Sequence, residues 1–106
     1  MLIALVVVLL VLWWYHQQVV IYKFFRPDCP HCVNLQPAWE EFETYLSGTN
    51  IRVVNVNNNS DYSKSLVNKH AVQGVPTIFA VTKLGSKVEY TGDRTAASLI
   101  TWSTSL

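Results

Sequence analysis

The stretch FFRPDCPHCVNLQPAWEEF, residues 24–42, decides the fold, because it joins a strand end, a proline-marked turn and a helix start without a break. It completes a run that begins at Val19, Val19-Val-Ile-Tyr-Lys-Phe-Phe25, rich in β-branched and aromatic residues and stopped by Pro27 and Asp28, which is the pattern of a buried strand. Beyond Cys29 the apolar period changes. Cys32, Leu35, Ala38, Trp39, Phe42, Tyr45 and Leu46 recur at helical spacing while Glu40, Glu41 and Glu43 fall elsewhere, predicting a helix with one inner stripe that ends at Ser47-Gly48.

Outward from that stretch the elements alternate. Ile51 to Val56 reads as a second strand, and Ser60 or Asp61 is placed to cap a short helix running to about His70. Gly74-Val75-Pro76 punctuates the next start. Thr77 to Val81 is strand-like, Leu84-Gly85-Ser86 is a hairpin turn and Val88 to Tyr90 is the return strand. A last helix from about Thr95 puts Ala96, Leu99, Ile100 and Trp102 near one face. The order βαβαββα predicts an α/β fold, a four-stranded mixed sheet flanked by helices.

Before Val19 the chain is apolar. Every residue from Met1 to Tyr15 is hydrophobic, and the block closes on Trp13, Trp14 and Tyr15, the kind of aromatic edge found at a membrane–water interface. A helix over residues 2–15 is about 21 Å long, short of the ~30 Å hydrocarbon core. A secretory signal fits the length, but its basic n-region and small-x-small cleavage site are missing. We expect an uncleaved anchor that meets the membrane through residues 2–15, with a cleaved signal peptide or a buried strand as alternatives, and the remaining domain on the non-cytoplasmic side. Outside this block the apolar share falls from 50% to about 42%, ordinary for a globular domain, so the chain divides into segment 1–18 and domain 19–106.

Composition excludes several functions. Five lysines and three arginines lie scattered between Lys23 and Arg94 with a net charge of +1, which gives no basis for a nucleic-acid partner. One apolar block does not make a multi-spanning protein. Two cysteines are too few for a disulfide-stapled miniprotein, and both lie in Cys29-Pro30-His31-Cys32, so neither has a distant partner. Two residues between the sulfurs let a turn entering a helix bring them within disulfide distance. Cys29 would stand at the helix N-terminus, where free N–H groups and the dipole favour a thiolate, making it the expected nucleophile. Cys32, one turn later on the inner stripe, is the expected resolving thiol. A protonated His31 would add to the stability of the Cys29 thiolate and make the disulfide a stronger oxidant. A zinc site using Cys29, His31, Cys32 and His70 or His16 is the weaker reading, since no second CxxC or HxxxH is present. No metal and no cofactor are expected.

With these residues in place the chain resembles the thioredoxin superfamily, most closely its protein disulfide isomerase branch, over about residues 19–106. Pro37, five residues after Cys32, matches the family's helix-kinking proline, although it also reads as Pro in the first turn of a helix starting near Gln36. Gly74-Val75-Pro76-Thr77 resembles the cis-proline loop, and Tyr90-Thr-Gly-Asp-Arg-Thr95 the strand end before the last helix. The resemblance implies that Pro30 and His31 tune the couple, that Val75–Pro76 is cis and lies against the CxxC, and that the Val75 backbone is offered to a substrate chain by strand addition.

The departures are specific. The first strand and helix of a full-length thioredoxin have no counterpart. Asp28 stands where the family usually has an aromatic residue, and its charge beside Cys29 would oppose the thiolate. Lys23 stands where the family has a buried carboxylate; it either snorkels or favours the Cys32 thiolate. The expected function is a thiol–disulfide oxidoreductase or isomerase that forms, breaks or reshuffles disulfides in protein substrates. A redox partner or glutathione would recycle it. The Pro-His dipeptide is that of the strongly oxidising bacterial member, so a potential nearer about −120 mV than about −270 mV is expected, together with a secretory or periplasm-like oxidising compartment. The alternatives are a membrane-tethered reductase and a redox-inactive binding or metal-binding module.

Overall fold

A computed structural model describes residues 2–16 and 18–106, with all their side chains except those of residues 14–16. The elements are α1 (Leu2–His16), β1 (Val20–Phe25), α2 (Pro30–Leu46), β2 (Arg52–Asn57), α3 (Ser63–His70), β3 (Thr77–Val81), β4 (Lys87–Glu89) and α4 (Ala96–Thr104). From β1 onward this is the expected βαβαββα order. Among the described residues the strands form one sheet in the order β2-β1-β3-β4, with β1 parallel to β2 and antiparallel to β3.

The VIYKFF sequence of β1 suits the centre of the sheet, because its side chains alternate between two cores. On one face Ile21 packs with Leu35, Trp39, Phe42 and Leu46 of α2, Ile78 and Ala80 of β3 and Leu99 of α4. On the other, Phe24 packs with Val56 and Phe79, fringed by Leu66 and Val67 of α3. In the register Phe24 lies opposite Thr77, so the chain leaving β1 toward Cys29 lies beside the chain entering β3 from Pro76.

Three local expectations are corrected. The buried positions of α2 step by three and four from Cys32 to Leu46, and this narrow stripe leaves Ala38 half-buried and Tyr45 exposed. α3 begins at Ser63, not at Ser60 or Asp61. The Ser60 hydroxyl is taken one turn earlier by the Tyr62 N–H at 3.3 Å, and Asp61 pairs with Lys64 at 3.6 Å. Pro37 lies inside one continuous α2, not at the start of a helix near Gln36. Thr95 caps α4 as expected, its Oγ1 accepting from the Ser98 N–H at 3.2 Å.

α1 is a fifteen-residue apolar helix whose side chains from Leu2 to Trp13 are exposed, and neither core includes any of them. No helix among the described residues is long and apolar enough to cross a membrane. The side chains of Trp14 and Tyr15, on which the aromatic-edge reading rests, lie outside the described residues.

Candidate active site

The turn after β1 carries the chain straight into α2. Cys29 is the N-cap, with extended backbone (φ −89°, ψ 115°), and Pro30 takes the first helical position, where its missing N–H is no loss. The Cys29 N–H donates to Arg26 O at 3.2 Å, and Cys29 O accepts from the Val33 N–H at 3.0 Å. The Cys32 N–H donates to Cys29 Sγ at 3.3 Å, so the thiol fills the place a capping Ser or Asp oxygen fills elsewhere. Both cysteines are free and buried.

Their surroundings drive the two thiols apart. The hydrogen bond from the Cys32 side chain lowers the Cys29 pKa, aided by the Cys32 and His31 N–H groups and the Arg26 charge, against the opposing effect of burial. Burial raises the Cys32 pKa, and its hydrogen bond to Cys29 adds to that rise, while Lys23 opposes it. A hydrogen bond donated to a thiolate favours the charged form. The arrangement supplies one acidic thiol at a helix N-terminus and one held protonated a turn behind it.

The other expected residues fall around this pair. Pro30 and His31 are exposed, and the backbone N–H of His31 is what bears on Cys29. The exposed Asp28 directs Oδ1 to Asn59 Nδ2, which donates at 3.5 Å. Arg26, which the sequence reading passed over, supplies the positive charge near the thiol. Its position three residues before Cys29 in a tight turn was the available signal. The Val75–Pro76 bond is cis, and both residues are half-buried. Val72, Gln73, Gly74 and Val75 line a groove of about 380 Å³ together with Arg26, Asn58 and Asn59, and Thr77 Oγ1 fastens the loop by donating to Gly74 O at 2.6 Å.

Lys23 does not snorkel. It is 3% exposed, on the α2 face of β1, and Nζ donates to Gln36 Oε1 at 2.9 Å. The rings of Phe25 and Trp39 lie 4.9 and 5.1 Å from Nζ. Burial lowers its pKa, against the opposing pull of Glu43, Cys32 and Glu40. Polar side chains tie this region together: Trp39 Nε1 donates to Asn55 Oδ1 at 2.9 Å, Asn55 Nδ2 to Glu43 Oε1 at 3.3 Å, and Gln36 Nε2 to Glu40 Oε1 at 3.2 Å.

His70, weighed as a metal ligand, is not brought to the cysteines. Its ring sits 4.9 Å from Tyr22 and 5.0 Å from Phe79, on the α3 face of the sheet. The His16 side chain, the other candidate, lies outside the described residues. Among the described residues no three His, Cys, Asp or Glu side chains are grouped to hold a metal ion.

Comparison with known proteins agrees with this geometry. Protein disulfide-isomerase 1 of Caenorhabditis elegans is 34% identical over 85 residues, covering 78% of this chain and 17% of the relative. Protein disulfide-isomerase of Humicola insolens is 34% identical over 83 residues, covering 78% of this chain and 16% of the relative. The chain thus spans about one sixth of the length of these relatives. The crystal structure of the J-Trx1 fragment of ERdj5 superposes with a TM-score of 0.74 at 29% identity, covering 84% of this chain and 41% of that one. The Thioredoxin family model matches residues 13–105, most of the chain's length, and the chain belongs to that family.

Proposed function

We propose that this chain is a thiol–disulfide oxidoreductase, of disulfide-isomerase type, acting on protein thiols and disulfides through Cys29 and Cys32. The observation that carries this reading is the hydrogen bond at Cys29 Sγ: a thiol serving as its own helix cap, with a second thiol one turn behind it. In the reducing direction the Cys29 thiolate attacks one sulfur of a substrate disulfide, forming a mixed disulfide and releasing the other sulfur as a thiolate. Cys32, once deprotonated, attacks Cys29 Sγ and expels the remaining substrate sulfur. The substrate gains two electrons and the couple becomes a disulfide. Reversed, these steps oxidise a substrate dithiol. Isomerisation follows when a second substrate thiolate attacks the mixed disulfide and returns Cys29 reduced.

The supporting features act at separate points. Lowering the Cys29 pKa stabilises the dithiol, which makes the disulfide more oxidising and suits an oxidising compartment, with a partner or glutathione to recycle the couple. The groove between Arg26 and the Val72–Val75 loop offers a polar path for an extended substrate, whose backbone would pair with Val75. The exposed apolar surface of α1 supports attachment of the domain to a membrane.

The test is refolding of a protein with scrambled disulfides. Wild-type chain is expected to restore native pairing, Cys29→Ser to be inactive, and Cys32→Ser to accumulate a mixed disulfide with the substrate. If Cys32→Ser traps no substrate, the assignment is wrong.

A further inference from the structure

The groove beside the nucleophile holds two polar groups that the chain itself leaves unused. Asn58 lines it, and its side-chain Oδ1 is buried without a hydrogen-bond partner, while its main-chain N–H is spent on Phe25 O at 2.8 Å. Arg26, just past the end of β1, lines the same groove; it is exposed, and its guanidinium makes no ion pair or hydrogen bond among the described residues. We propose that this groove selects acidic segments of protein substrates: Arg26 pairs with an Asp or Glu side chain beside the reacting cysteine, and Asn58 Oδ1 accepts a main-chain N–H of the same segment. This rests on the oxidoreductase reading above and names the substrate class within it.

Charge decides for an acid over a base. Of the described residues that line the groove only Arg26 is charged, so a substrate segment meets a positive field there. Asp28 does not line it; its Oδ1 is turned to Asn59, whose Nδ2 donates at 3.5 Å. A guanidinium also offers paired donors that match the two oxygens of a carboxylate. Position decides where in the substrate the acid lies. Arg26 O accepts the Cys29 N–H at 3.2 Å, so the two residues belong to one tight turn. An extended substrate advances about 3.3 Å per residue, which puts the matching acid one or two residues from the sulfur under attack. The orphan oxygen of Asn58 completes the site. A buried acceptor without a donor is costly, and a main-chain N–H is the donor that every extended peptide brings as it pairs with Val75.

The test uses matched peptides, Gly-X-Cys-X-Gly with X as Glu, Gln or Lys, each joined through its cysteine to the same aromatic thiol. Cys29 attacks the peptide sulfur, the new disulfide holds the peptide on Cys29, and the aromatic group leaves as a coloured thiolate, the better leaving group. Dividing each rate by that of the same peptide with dithiothreitol, a neutral dithiol, removes the peptide's own reactivity. Wild-type chain is expected to favour Glu over Lys by about fivefold or more at low salt, with Gln between, and to lose most of that preference in about 0.5 M salt. Arg26→Gln should abolish the preference; any change it makes in the reactivity of Cys29 slows all three peptides alike and cancels in the ratio. Asn58→Ala should slow all three by about fivefold and keep the ratio. A wild-type ratio near one, or one indifferent to salt, overturns the proposal without any variant. An Arg26→Gln chain that keeps the preference overturns it as well, and so does Asn58→Ala at wild-type rates. A wild-type chain that releases no colour from any peptide would instead overturn the oxidoreductase reading itself.

Discussion

The two faces of the sheet are built unequally. The face covered by α2 and α4 buries Ile21, Leu35, Trp39, Phe42, Leu46 and Leu99, and it also holds Lys23 and the redox couple. The face covered by α3 buries Phe24, Val56 and Phe79 under a half-buried fringe, and of the eight residues of α3 only Ser63 is buried. The cause is in the sequence: PHCVNLQPAWEEFETYL carries a stripe of large apolar side chains, whereas SKSLVNKH offers Leu66 and Val67. What the contrast teaches is where rigidity is needed. Thiol exchange depends on the relation between Cys29 and Cys32, and the helix that sets it is the one anchored through the larger core. The thinner face is fringed by Val72 and Val75 of the loop before β3, the segment proposed above to pair with substrate.

The first way to break this contrast is Trp39→Ala. Trp39 is fully buried and gives its indole N–H to Asn55, so its loss is expected to destabilise the domain by about 3–5 kcal/mol in urea unfolding. On the thinner face Leu66→Ala should cost only about 1–2 kcal/mol, because that side chain is half-buried to begin with. Equal losses at the two sites would erase the distinction. Ala71 closes α3 in the left-handed region at φ 54°, a conformation strained for a residue with a Cβ, so Ala71→Gly is expected to stabilise by about 1 kcal/mol.

The smallest effect concerns pH. His70 lies among the rings of Tyr22, Phe24 and Phe79 with Nε2 buried and unpaired; burial lowers its pKa below 6.5, with Lys69 and Lys87 acting the same way. Below pH 6.5 the unfolded chain takes up this proton more readily than the folded one, so the stability is complete above that pH and declines as pH falls through the folded-state value. His70→Phe should flatten the decline in thermal unfolding between neutral and mildly acidic pH. A decline of undiminished slope would assign it to other groups.

Much of this was legible because short-range chemistry encodes it. Pro27-Asp28 marks the end of β1, Thr95 is a capping residue at the start of α4, and Leu84-Gly85-Ser86 turns the hairpin, with Gly85 at φ 84°. The CxxC and the loop before Thr77 were readable from their motifs, and antiparallel pairing of β1 with β3 brings them to one end of the sheet. Hidden from sequence were properties that depend on packing across elements. Whether Lys23 reaches water depends on Trp39 and Gln36 closing over it from α2, and which charge meets Cys29 depends on how the turn aims Arg26 and Asp28. The exposure of Tyr45 follows from the exact phase of α2 on the sheet, which periodicity alone leaves open by about one residue.

The central claim, that Cys29 and Cys32 form an exchanging couple tuned by the helix cap, is tested most directly by equilibrating the chain with glutathione buffers and quantifying the dithiol and disulfide forms. The account predicts a reversible intramolecular disulfide with a potential toward the oxidising end of the family's range, between about −180 and −120 mV. A potential near about −270 mV would contradict the oxidising role, and a chain in which Cys29 and Cys32 do not pair would contradict the redox couple altogether.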